Sequence, residues 1–83
     1  QKTMKARLAA TLLMLEENFG KESDGSLSLV LTREEVAGIV GTATESVIRL
    51  LSQFGKEKII KLDGKHIVIL NHDMLRMVSE GLD

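Results

Sequence analysis

Few side chains in this sequence have a type and spacing that could do chemistry. Glu45 and Arg49 stand four residues apart, so on a helix they would share one face. A guanidinium there could donate two hydrogen bonds to guanine O6 and N7, and the carboxylate could accept one from cytosine N4. The same pair could equally form a surface ion pair contributing a few tenths of a kcal/mol. Glu34 and Glu35 are adjacent carboxylates, but neighbours on a helix point about 100° apart. His66 and His72 have no cysteine and no paired carboxylate at ligand or acid–base spacing. His66 reads as a strand residue and His72 as a cap or an exposed side chain. Catalysis is therefore not expected, and neither a cofactor nor a metal site is expected in this chain.

Composition narrows the classes further. Eighty-three residues, 43% of them hydrophobic, make one small domain of modest stability. Phe19 and Phe54 are the only aromatic residues, so the core must be built from Leu, Ile, Val, Met and Ala. There is no cysteine, which removes disulfides, thiolate chemistry and the common zinc sets and suits a cytoplasmic location. No apolar run approaches the roughly 18 residues of a membrane span. The apolar stretch 8–15 is flanked by charges and followed by no small-residue cleavage site, so it is not a signal peptide. The chain starts at Gln1 and not Met, which reads as a fragment or a processed product. A net charge of −1 argues against nucleic acid as a partner. Its distribution argues the other way, with Arg49, Lys56, Lys58, Lys61 and Lys65 outnumbering Glu45, Glu57 and Asp63 between positions 45 and 66.

The elements that must position these side chains follow from periodicity and punctuation. Met4, Leu8, Leu12, Leu15 and Phe19 mark one face of a first helix, with Gly20 at its C-cap. Residues 21–26 read as a loop, and Leu27, Leu29 and Leu31 alternate as in a short strand. Thr32 and Glu35 form a capping box opening a second helix, whose apolar side is Val36, Ala37, Ile39 and Val40. Gly41 ends it. Thr42 and Glu45 repeat the capping-box spacing, so a third helix, about 43–55, starts at once. It buries Val47, Leu50, Leu51 and Phe54 and closes at Gly55. Asp63-Gly64 favours a type I′ hairpin turn between 59–62 and 66–70. Asn71 caps a last short helix that turns Met74, Leu75 and Val78 inward.

Order and spacing specify the fold. Helix, short strand, helix, tight turn, helix, hairpin and short helix make an α+β winged helix-turn-helix, with 1–20 as a lead-in helix and 21–83 as the winged unit of one domain. Two helices crossing this closely need a small residue midway along the first, met by Ala37. They need a residue tolerant of positive φ in the turn, met by Gly41. They also need branched residues facing back from the second, met by Val47 and Leu50.

The runs 31–41 (LTREEVAGIVG), 44–51 (TESVIRLL) and 64–69 (GKHIVI) resemble the C-terminal domain of the Crp–Fnr family of bacterial regulators. The resemblance extends from about Leu8 to the end. It implies sequence-specific binding of double-stranded DNA, with the third helix in the major groove. Glu45 and Arg49 stand where the family reads bases. Thr44 replaces a side chain that is commonly arginine in the cyclic-AMP receptor branch, so the operator should differ from that branch's site. Ile48 departs from a position usually small or polar in the best-known branches. It could touch a thymine methyl, or be a single exposed apolar residue. Thr32, Arg33, Ser46, Gly64 and Lys65 are the candidates for phosphate contacts, although Thr32 is also a helix cap and Lys65 could be a solvated turn residue.

The resemblance further implies a homodimer in the intact protein, with 1–19 following the dimerisation helix of a sensor domain that would bind the effector. The loop 21–26 lies where family activators present a surface to RNA polymerase, or it is a plain surface loop. Some winged helices bind proteins instead of DNA, and the overall negative charge keeps that alternative open. Arg49 and the wing lysines discriminate against it.

Overall fold

The computed structural model describes residues 2–82. Its elements are α1 (Met4–Phe19), α2 (Arg33–Val40), α3 (Thr44–Lys56), β1 (Ile60–Asp63), β2 (His66–Ile69) and α4 (His72–Ser79). Apart from the short strand expected between α1 and α2, the winged helix-turn-helix order read from the sequence is the order of the structure.

Helix α1 starts where the Thr3 side chain accepts from the Ala6 amide at 3.1 Å, and ends at Gly20 with φ 79°. Leu8, Leu12 and Leu15 are buried as the periodicity requires, but Met4 and Phe19 at the two ends are exposed. The apolar stripe is longer than what covers it. A 16-residue helix spans about 24 Å and the eight residues of α4 about 12 Å. His72 Nε2 lies 2.7 Å from Glu16 Oε1 and joins α4 to α1; nothing in the local sequence marks that partnership.

The expected strand at 27–31 does not form. Leu27 N–H donates to the Ile67 carbonyl at 2.8 Å and Ser26 bridges to Val68, but Ser28 N–H turns back to the Gly20 carbonyl. The ladder therefore stops after two residues. The alternating leucines are accounted for by packing, with Leu27 buried and Leu29 and Leu31 against the core.

The hairpin pairs Ile60 with Ile69 through Asp63 with His66, so its two-residue loop is Gly64-Lys65 and not Asp63-Gly64. Gly64 has φ 60° and Lys65 is not among the positive-φ residues. That is the II′ pattern, which places glycine first, in place of the expected I′ turn.

Helix α3 also runs past its expected stop at Gly55. Ile59 N–H reaches the Phe54 carbonyl and Lys58 N–H the Gly55 carbonyl, a Schellman ending with Lys58 in the left-handed position at φ 62°. Asn71 caps α4 as expected, accepting from Met74 N. Leu8, Leu12, Val36, Val47, Leu51, Phe54, Ile60 and Leu75 form the fully buried centre. Ile39 and Met74, expected inward, are exposed, because Val36, Ala37 and Val40 on α2 and Leu75 and Val78 on α4 already fill the inner arcs of helices two turns long.

Candidate nucleic-acid interface

The turn between α2 and α3 sets the presentation of everything beyond it. Gly41 adopts φ 84° and ψ 42°, the left-handed conformation that costs a residue with a Cβ roughly 1–2 kcal/mol. The amides of Gly41 and Thr42 both donate to the Ala37 carbonyl, at 2.8 and 3.0 Å. Thr42 thereby belongs to the close of α2 and lies one residue before the α3 N-cap. The expected second capping box is absent: the N-cap is Ala43, which makes no side-chain cap hydrogen bond. The first turn of α3 consequently keeps its donors free of a local side-chain acceptor. Ala37, Val47 and Leu50 are buried between the two helices as their spacing required.

Of the four base-reading candidates, Glu45, Ile48 and Arg49 are exposed together on the outer face of α3, and Thr44 is half-buried at its first residue. Glu45 and Arg49 form no ion pair with each other or with any other described residue. Both hydrogen-bonding ends are therefore unsatisfied by any described residue. Ile48 is 51% exposed.

The phosphate candidates converge at a second place. Thr32 and Glu35 form the capping box at the start of α2, with Thr32 Oγ1 accepting from Glu35 N at 3.0 Å and Glu35 Oε1 from Thr32 N at 2.8 Å. These bonds hold the Glu35 carboxyl below its usual pKa, the Thr32 amide contributing most, then its hydroxyl, with the Lys65 charge adding to them. Arg33 Nη2 donates to the Gly64 carbonyl at 2.8 Å, which brings the wing tip and Lys65 to the N-terminus of α2. Arg33 Nη1 is buried with no partner. Ser46 is half-buried on α3 and no contact joins it to this cluster.

Sequence reading missed Arg7. Its guanidinium reaches from α1 to the Gly41 carbonyl at 3.5 Å, across 34 positions that no local pattern connects. Among the described residues, no group of His, Cys, Asp and Glu could hold a metal ion, and no helix is long and apolar enough to cross a membrane.

Three comparisons bear on what such a surface does. The Crp-like helix-turn-helix domain matches residues 6–78. The fumarate and nitrate reduction regulatory protein of Vibrio cholerae is 36% identical over 74 residues, 87% of this chain and 30% of that protein. A CRP-like cAMP-activated global transcriptional regulator of Mycobacterium tuberculosis is 37% identical over 71 residues, 83% of this chain and 32% of that protein. A solved CRP/FNR-family transcriptional regulator from Thermus thermophilus superposes with a TM-score of 0.84 at 30% identity, covering 95% of this chain and 41% of its own. The chain spans about a third of the length of the relatives it matches.

Proposed function

This chain belongs to the Crp-like helix-turn-helix family and binds DNA as the output domain of a Crp–Fnr-type regulator, and from that premise we propose which residues read the duplex and how. Helix α3 enters the major groove with its N-terminal half. Arg49 donates to guanine O6 and N7, Glu45 accepts from cytosine N4, Ile48 meets a thymine methyl, and Thr44 supplies a single hydroxyl where a longer donor would give two contacts. The observation that carries this reading is the outer face of α3, where an isoleucine stands exposed beside a carboxylate and a guanidinium that have no ion-pair partner among the described residues.

Phosphates are held by Thr32, Arg33, Gly64 and Lys65 at the α2–wing junction and by Ser46 on α3. Arg33 holds the wing tip with Nη2 and sets the guanidinium charge beside Gly64 and Lys65. These contacts fix register without reading sequence. The whole protein is a cytoplasmic homodimer that places two α3 helices about 34 Å apart on a two-fold symmetric operator. It catalyses no reaction, its effector binds outside this chain, and the loop 21–26 faces RNA polymerase.

Selection from a random duplex pool, followed by anisotropy titration of wild type and Arg49→Ala, tests the assignment. Arg49→Ala is expected to lose preference at one base pair and to keep its affinity for random duplex. Failure of the wild-type chain to bind any duplex or heparin at low salt would leave the protein-docking alternative instead.

A further inference from the structure

Beyond the residues assigned above, three lysines converge on one open cleft of about 510 Å³ between the last turns of α3 and the β1 strand. Lys56, Lys58 and Lys61 line it, with Ser52, Leu62 and Leu70. All three lysines are exposed, and none makes a side-chain hydrogen bond or ion pair with a described residue. Among the described residues, no carboxylate lines the cleft. Glu57, although it sits between Lys56 and Lys58 in sequence, lines a different hollow beside Ile59 and Met74. A chain of net charge −1 thus concentrates three uncompensated cations in one concavity. One of them occupies the left-handed backbone position, φ 62°, where glycine would be the unstrained choice.

The place of the cleft along α3 identifies its occupant. Lys56 lies seven residues beyond Arg49, two turns along the same face and about 10 Å farther down the axis. Ser52 stands between them, also exposed. The major groove is about 12 Å wide. A helix that meets base edges with its first two turns and crosses the groove obliquely brings its far end to the sugar-phosphate backbone.

We propose that this cleft is a phosphodiester clamp. The lysine ammonium groups engage successive phosphates at the lip of the major groove beyond the bases read by Arg49, while Leu62 and Leu70 face deoxyribose carbons. The clamp rests on the reading that α3 occupies the major groove. It extends the footprint without adding sequence preference.

The test compares Lys56→Gln/Lys61→Gln with a charge-matched variant, Lys2→Gln/Lys21→Gln, by anisotropy on a pool-selected duplex and a random duplex over a salt series. Removing two phosphate contacts should reduce the slope of log K against log salt by about 1.8. Affinity should fall by a similar factor on both duplexes, and the charge-matched variant should keep the wild-type slope. Lys56→Arg/Lys61→Arg should retain the slope, which separates lost charge from a lost fold. An unchanged slope in the glutamine variant overturns the clamp. So does an equal loss in the charge-matched variant, which would report net charge alone. Loss of binding to an acidic peptide such as poly-glutamate with the DNA slope unchanged would assign the cleft to a protein partner. Wild-type binding to duplex with an unaltered variant sinks only the clamp; absence of wild-type binding to any duplex sinks the groove reading with it.

Discussion

The N-termini of α2 and α3 carry the same local signal, Thr32 with Glu35 and Thr42 with Glu45, and meet opposite fates. The first pair closes a reciprocal capping box. The second does not form, because Thr42 belongs to the close of α2 and the α3 cap falls one residue later, on Ala43. Glu35 is consumed by its own helix, and Glu45 is left exposed beside a first turn lacking a side-chain cap. The helix that obeys the capping rule supports the domain, and the one that breaks it presents the free groups. Such local departures are expected where function outweighs stability.

Five measurements break or sharpen this contrast. If α3 is held by its buried face and not by a cap, Phe54→Ala, which empties a position 0% exposed, should cost about 3–5 kcal/mol in urea unfolding. A loss below that of a cap would contradict the distinction. Next, Arg49→Ala should cost about 1–3 kcal/mol of binding, confined to one base pair. A uniform loss on all sequences would move Arg49 from reading to clamping.

The two threonines give the most direct comparison. Thr32→Ala should destabilise by about 1 kcal/mol, and Thr42→Ala by no more than a few tenths; equal losses would mean that both cap. Installing the missing cap with Ala43→Ser should raise the melting temperature, with a gain on the order of 0.5–1 kcal/mol.

The smallest effect is in acid. The Glu35 carboxyl is held below its usual pKa by Thr32, and Asp24 is lowered by the Ser26 hydroxyl first and then its amide. A depressed folded pKa contributes stability above the ordinary carboxylate range, and that contribution is lost as pH falls through the folded value. Stability should therefore decline below the ordinary carboxylate range, and Glu35→Gln should shallow that decline. A decline as steep in the variant would detach it from the capping box.

Much of the architecture was legible because it is written in short-range patterns. Ala37, Gly41, Val47 and Leu50 lie within 14 consecutive positions, and their burial or left-handed geometry follows from that spacing. Errors gathered where two elements compete for one residue. Gly55 reads as a stop, yet α3 continues because the Phe54–Ile59 closure places the left-handed residue at Lys58. Leu27, Leu29 and Leu31 read as a strand, yet Ser28 finds its acceptor at Gly20.

The candidate site divides in the same way. That Glu45, Ile48 and Arg49 share a face follows from 3.6 residues per turn, and the sequence alone determined it. Whether Arg49 pairs with Glu45 or remains free was open until the structure left them apart. Only the tertiary structure joined Arg33 to the Gly64 carbonyl across 31 positions, Arg7 to the Gly41 carbonyl across 34, and His72 to Glu16 across 56. Periodicity and capping act over one or two turns of chain and can be read in one dimension. Contacts at these separations depend on how whole helices and the wing pack, and they exist only once the core around Leu12, Val47 and Phe54 has set the elements at fixed distances.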